Sequence, residues 1–331
     1  MMTKRVQVRD LQRMRDRGEP ITMLTAYDYP TARMADDAGI PILLVGDTLG
    51  MVVLGYDSTV PVTLDDMIHH GKAVVRGAGN AHVVVDMPFG TYQAGWQDAL
   101  RNATRIMQET GCGSVKLEGG QRSAETVQRL VEAGIPVMGH IGLTPQSVNQ
   151  TSGFRVQGKT PRDAVHLIND AKALAEAGAY AIVLELVPTA LAQMITQRVP
   201  VPTIGIGAGP FCSGQVQVWH DILGLYDDLK PRHARRFAEL GVATREAIGT
   251  YREQVEARQF PTADESFYMD EHALELIKAL LPELDGDLSD AQRILAEHDL
   301  KLIARATETA PAAQAPPASG ASDNASSPPA R

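Results

Sequence analysis

The sequence predicts an α/β protein of the (β/α)8 barrel type, and three observations lead there. Eight short apolar runs alternate with helical patterns over roughly 250 residues, the size of one such barrel. The runs are continuously apolar rather than alternating, as in parallel strands buried on both faces. No Gly-x-Gly-x-x-Gly turn follows the first run, which disfavours a doubly wound open sheet.

The elements follow in order. Strand one is expected at 21–27, followed by a helix at 31–38 that ends at Gly39, a residue suited to the left-handed turn that closes a helix. Strand two, at 42–46, leads to a helix at 64–76. Strand three, at 83–86, stops before Met-Pro-Phe, where Pro88 cannot join a ladder. A helix at 96–109, a strand at 115–118 and a helix at 123–132 come next, then a strand at 137–140 and a helix at 161–176. The series ends with a strand at 181–185, a helix at 189–197, and strands at 203–206 and 216–219. The barrel is assigned to 1–267. A helical extension is expected at 268–305, with amphipathic helices at 271–281 and 289–305 carrying Leu274, Ile277, Leu281, Ile294, Leu302 and Ile303. Residues 306–331 are mostly Ala, Pro and Ser, a composition that cannot offset its ordering entropy, so disorder is expected.

Composition narrows the function. The chain has 331 residues, 44% hydrophobic and 21% charged, ordinary for a soluble enzyme with one large core. A net charge of −9 argues against a general nucleic-acid surface. Residues 268–331 hold eleven acidic and five basic residues, so most of that charge lies outside the barrel. No run is long enough to span a bilayer, and the N-terminal residues form no apolar signal region. Cys112 and Cys212 have neither metal nor redox spacing, which fits a reducing, cytoplasmic setting.

Four carboxylates, Asp47, Asp86, Glu118 and Glu185, each end an apolar run. In a parallel barrel those ends share one mouth. Crowded carboxylates repel one another, and a divalent cation is the usual remedy. Asp47 and Asp86 are hard oxygen donors of the kind that suits Mg²⁺, although each alone could be a cap or a turn residue. Lys116 and Glu118 are two apart on one strand and point the same way. Either both face the interior or both form an outward ion pair. Glu185, at the end of a strongly apolar strand, could act as a general base or pair with an arginine. His140 also ends a strand, where a lone histidine is more often a satisfied core residue. The pair His69-His70 reads as a solvated helix face. The glycine-rich run at 203–209 is either a phosphate loop or tight packing.

Ten segments in this order resemble the ketopantoate hydroxymethyltransferase family. They include Thr25-Ala-Tyr-Asp-Tyr, Val45-Gly-Asp-Thr-Leu-Gly-Met, Asp86-Met-Pro-Phe, Val115-Lys-Leu-Glu-Gly-Gly, Gly139-His-Ile-Gly-Leu-Thr-Pro-Gln-Ser-Val-Asn and Leu184-Glu-Leu-Val-Pro, and together they span about residues 4–267. The resemblance implies an Mg²⁺-dependent barrel of the phosphoenolpyruvate/pyruvate superfamily. Its reaction joins 3-methyl-2-oxobutanoate to the one-carbon unit of 5,10-methylenetetrahydrofolate, giving 2-dehydropantoate and tetrahydrofolate on the route to pantothenate. By position it implies Asp47, Asp86 and Glu118 as metal ligands, and Asp47, Thr48, Asp86, Lys116 and His140 as substrate contacts. It makes Glu185 the proton acceptor, and it implies a homo-oligomer, a decamer, with small-molecule partners. Thr48 stands where the family usually has Ser, and Ser152-Gly-Phe replaces a more typical Gly-Gly-Tyr. Two other readings stand beside it: a lyase or mutase of the same superfamily, and a non-catalytic barrel that binds partners through its tail.

Overall fold

The computed structural model describes residues 5–151, 153, 155–228 and 230–284, with 293, 295, 297 and 301 beyond them. Eight parallel strands close into a barrel in chain order: β1 (Ile21–Thr25), β2 (Ile42–Val45), β3 (His82–Asp86), β4 (Ser114–Glu118), β5 (Val137–Gly142), β6 (Ala181–Glu185), β7 (Thr203–Ile206) and β8 (Gly214–Gln217). β8 returns to pair with β1, which leaves no open edge.

The apolar runs build this closure because each strand buries both faces. Outward residues such as Val83, Val85, Val115, Leu117 and Ile182 pack under the surrounding helices. Those helices include Tyr29–Asp37, Leu64–Gly77, Trp96–Thr110, Ala124–Glu132, Pro161–Glu176 and Thr189–Thr196. Local signals start several of them. Asp28, Thr63 and Thr160 each accept a backbone N–H of the first turn through their side chains. Inward residues form a second core: Met23, Ile42, Leu44, Val84, Met138, Val183, Ile204 and Val216 fill the barrel. The helix Val8–Asp16 closes the N-terminal end, where Leu11 packs among them at 1% exposure.

The last strand differs from the sequence expectation. β8 is expected at 216–219 but runs from Gly214 to Gln217, and Trp219 opens the short helix Trp219–Ile222. The strand begins on a glycine because a Cβ there would collide with the Ile21 carbonyl, and an apolar run does not reveal that requirement. No helix separates β7 from β8. The glycine-rich link between them is packed tightly. Gly207 and Gly209 have φ of +64° and +79°, and a Cβ on Gly205 would sit 3.0 Å from the Cys212 sulfur. This geometry favours the packing alternative for 203–209.

The described chain forms two compact units, Met1–Thr250 and Tyr251–Arg331. The first holds the barrel and most of the helix Leu240–Glu256. The second holds the end of that helix, a Tyr251–Phe260 ring contact at 5.6 Å, the turn Ala263–Glu265 and the helix Glu271–Leu284. The expected helix at 289–305, apart from 293, 295, 297 and 301, and the segment 306–331 lie outside the described residues.

Candidate active site

A cavity of about 50 Å³ lies at the C-terminal ends of the strands, and Asp47, Thr48, Asp86, Lys116, Glu118, His140 and Glu185 all line it. All seven residues expected from the sequence are therefore brought together. Strand register does most of this. Asp86 on β3 pairs with Lys116 on β4, Glu118 pairs with His140 on β5, and Gly142 pairs with Glu185 on β6. Because strand side chains alternate, Lys116 and Glu118 share the inward face, at 6% and 3% exposure. The outward ion-pair alternative is thereby removed.

Asp47 follows Gly46 and precedes the single turn Leu49–Val52. It does not serve as a cap. Its backbone N–H donates to Asp86 Oδ2 at 3.1 Å, and its own Oδ2 accepts from Gln146 Nε2 at 2.8 Å. Thr48 holds the N-cap position without a side-chain cap bond, which leaves its hydroxyl for the cavity. Asp86 Oδ1 lies 2.8 Å from Lys116 Nζ, at ion-pair distance, but off the angle of a hydrogen bond. His140 is not a satisfied core histidine. Nδ1 lies 3.6 Å from Glu118 Oε1 and Nε2 lies 3.1 Å from Glu185 Oε2, again without hydrogen-bond alignment. Glu185 is the most open of the acids, its side chain 17% exposed, and it has a histidine rather than an arginine for a partner.

The electrostatics are unbalanced. Burial, then the Asp86 charge, pushes Asp47 up to about 7, against Lys116 and the Gln146 bond. Burial and then Asp47 raise Glu118 well above the usual carboxylate range. Burial opposes the charge on Lys116, yet Asp86, Asp47 and Glu118 together hold its pKa above the ordinary lysine value. Burial and Lys116 lower His140, while Glu185 opposes them, so the imidazole is neutral near pH 7. One ammonium thus faces four carboxylates.

Among the described residues no three Asp, Glu, His or Cys side chains form a ready metal centre. The donor chemistry nevertheless fits a hard divalent cation. Asp47 and Asp86 are adjacent oxygen donors, Asp86 Oδ1 meets only the Lys116 ammonium, and a cation would relieve the crowding that holds Asp47 and Glu118 above the usual carboxylate range.

Gln146 and Tyr92 also belong to the cluster, although neither carries a charge that marks it in the sequence. Gln146 is buried and donates through Nε2 to Asp47 Oδ2 and to the Met87 carbonyl, at 2.8 and 2.9 Å. Its backbone N–H donates to Glu118 Oε2 at 3.2 Å, and its Oε1 accepts from the Tyr92 hydroxyl at 2.6 Å. The Tyr92 hydroxyl in turn accepts from the Glu118 N–H at 3.1 Å. Gln146 lies inside the quoted segment that begins at Gly139, but a neutral amide gives no charge signal. The His69-His70 pair is only in part a solvated helix face. His70 is half-buried, its Nδ1 2.6 Å from the Tyr27 carbonyl, and only His69 is exposed.

Fold and site together define an α/β-barrel enzyme whose chemistry is held by acids, one lysine and one histidine at the C-terminal mouth. The family model described as ketopantoate hydroxymethyltransferase matches residues 5–263. A 3-methyl-2-oxobutanoate hydroxymethyltransferase from Chloroflexus aurantiacus is 61% identical over 266 residues, covering 80% of this chain and 94% of that protein. The enzyme of the same name from Carboxydothermus hydrogenoformans is 57% identical over 273 residues, covering 82% and 99%. The chain belongs to the ketopantoate hydroxymethyltransferase family. Among solved structures, a phosphoenolpyruvate phosphomutase from Streptomyces platensis subsp. rosaceus superposes with a TM-score of 0.50 at 14% identity, covering 84% of this chain and 97% of that one, a likeness of fold.

Proposed function

We propose that this chain transfers the one-carbon unit of 5,10-methylenetetrahydrofolate to C3 of 3-methyl-2-oxobutanoate, giving 2-dehydropantoate and tetrahydrofolate for pantothenate biosynthesis. The observation that carries the reading is the cluster itself: a base, a lysine and a set of hard oxygen donors around one small cavity, in a chain 61% identical to an enzyme of that name. Asp47 and Asp86, with Glu118 beside them, would hold Mg²⁺. When bound there, the ion would supply positive charge to the keto and carboxylate oxygens of the substrate.

The residues of the chain account for the rest. Thr48 and the Lys116 ammonium bind the oxoacid, and Lys116 stabilises the charge that develops on the keto oxygen. The Glu185 carboxylate takes the C3 proton. His140 stands between Glu118 and Glu185, its Nε2 3.1 Å from the Glu185 carboxylate, and walls the base side of the cavity. Leu44, Val183, Ile206 and Val216 give the isopropyl group an apolar wall and exclude bulk water. Water adds to the folate-borne methylene and its C–N bonds break, releasing tetrahydrofolate and formaldehyde. The C3 carbanion adds to that carbonyl, and the alkoxide formed takes back the proton held by Glu185. The alternative reading as a non-catalytic barrel is disfavoured by the convergence of all seven side chains on one cavity.

The chain works as a homo-oligomer, a decamer, in the cytoplasm. Exposed Leu240, Val242 and Ile248 support the assembly. No helix among the described residues is long and apolar enough to cross a membrane. The test is turnover of 3-methyl-2-oxobutanoate with methylenetetrahydrofolate, with and without Mg²⁺. Product is expected only with the metal. Full activity after exhaustive chelation would overturn the metal assignment, and no product under any condition would overturn the function.

A further inference from the structure

We infer that the pterin end of the folate docks in a cleft beside the catalytic cavity, between the loops after β3, β4 and β5. This inference rests on the function proposed above. The catalytic cavity, at about 50 Å³, is too small for a pterin. The one-carbon donor must therefore approach from an adjoining space, and its methylene must reach the oxoacid. A cleft of about 590 Å³ adjoins the cavity and shares Glu118 with it. Its size falls in the range of small-molecule sites, roughly 300–1,000 Å³.

The lining matches the chemistry of a reduced pterin. Phe89 is 47% exposed at the wall of the cleft, a large aromatic with no other evident task. Trp96 lines the same wall, and the Arg129 guanidinium lies 5.4 Å from its ring centroid, which holds the indole in place. Such rings stack on a flat heterocycle. Glu125 lies on the cleft, and a carboxylate can pair with the 2-amino and N3–H edge of a pterin. Arg122, also on the cleft and exposed, suits the carboxylates of the glutamate tail. Three other large cavities lack this combination. The 780 Å³ cavity is bordered by His82, Tyr180 and the N-terminal helix, away from the mouth. The 550 Å³ cavity beside Asp163 and Asp170 is lined by no Phe, Tyr or Trp and by none of the seven catalytic-cluster side chains. The 640 Å³ cavity holds Phe211 but lies beside Pro20, Ile21 and Gly214, at the starts of β1 and β8, away from the mouth.

The experiment separates folate binding from oxoacid chemistry. In the full-length protein, Phe89→Ala should weaken tetrahydrofolate binding by calorimetry, and raise the KM for methylenetetrahydrofolate, by about 3- to 10-fold. Its KM for the oxoacid, and folate-free exchange of the oxoacid C3 proton in heavy water, should stay at wild-type values. Arg122→Glu, an exposed change with little folding risk, should likewise weaken binding of a polyglutamylated tetrahydrofolate. Wild-type tetrahydrofolate affinity in both variants would overturn the docking site. If Phe89→Ala misfolds, the Arg122→Glu titration alone decides. A wild-type protein that exchanges the proton yet makes no product would overturn the proposed function, while the tetrahydrofolate titration would still decide the cleft.

Discussion

At the scale of single residues, the cluster depends on a neutral side chain as much as on its charges. Gln146 ties Asp47 to the end of β3 and fixes Glu118 through its backbone N–H. Partners of this kind typically contribute about 10- to 100-fold in metal affinity or activity. Gln146→Leu is expected to weaken Mg²⁺ binding and lower kcat/KM by that order, while the fold remains. Titration of the variant with Mg²⁺ checks this, and wild-type affinity with wild-type turnover would refute it. Glu185 is predicted to act differently, because it lies at the more open side of the cavity. Glu185→Gln should still bind oxoacid yet slow C3 proton exchange in heavy water by roughly 10²- to 10⁴-fold. Undiminished exchange would remove Glu185 from the role of base.

At the scale of elements, buried acids away from the mouth hold loops rather than ligands. Asp36, near the end of the helix Tyr29–Asp37, accepts the backbone N–H groups of Gly79, Asn80 and Ala81, at 3.2, 2.9 and 2.6 Å. It fixes the chain where it turns from the helix Leu64–Gly77 into β3. Asp36→Ala would leave those donors without a partner, at about 1–3 kcal/mol. A matching drop in the urea midpoint is expected, with specific activity of the folded fraction unchanged. An unaltered midpoint would show that water replaces the carboxylate at no cost. Gly142 serves the site in another way. Its φ is +94°, and a Cβ there would strike the Glu185 carbonyl, so the close approach of β5 to the base depends on a missing side chain.

At the scale of the whole molecule, a histidine at the N-terminal end of the barrel ties stability to pH. His82 closes the N-terminal end, Nε2 2.8 Å from the Ser114 hydroxyl, which is itself 2.8 Å from the Tyr180 hydroxyl. Burial pushes its pKa from 6.5 down to about 4, against the Val6 carbonyl and with help from Arg5. The unfolded chain therefore binds a proton that the folded chain refuses. This contribution is absent above pH 6.5, grows as pH falls, and levels off below about 4, with a total loss near 3 kcal/mol. His82→Gln is expected to flatten the fall in stability across that window. An identical slope in denaturant titrations would exclude His82 as its source. The residues assigned to the site all lie in Met1–Thr250, and the family model ends at residue 263. Truncation after Phe267 is therefore expected to preserve kcat and KM. A folded truncation that has lost turnover would reverse that expectation.

The sequence by itself determined the number and order of the strands, the carboxylates at their ends and the shared face of Lys116 and Glu118. Each of these follows from local periodicity, which a single segment carries within itself. The register that sets Asp86 against Lys116 and Glu118 against His140 belongs to pairs of strands, and only the closed barrel decided it. Gln146 shows the same limit more sharply: it meets Asp47 across 99 positions of chain, through a neutral hydrogen bond that leaves no mark on composition or pattern. The strand start at Gly214 and the cleft at Phe89 likewise arise from packing between distant segments, because what a small residue or an exposed ring is for depends on what lies against it.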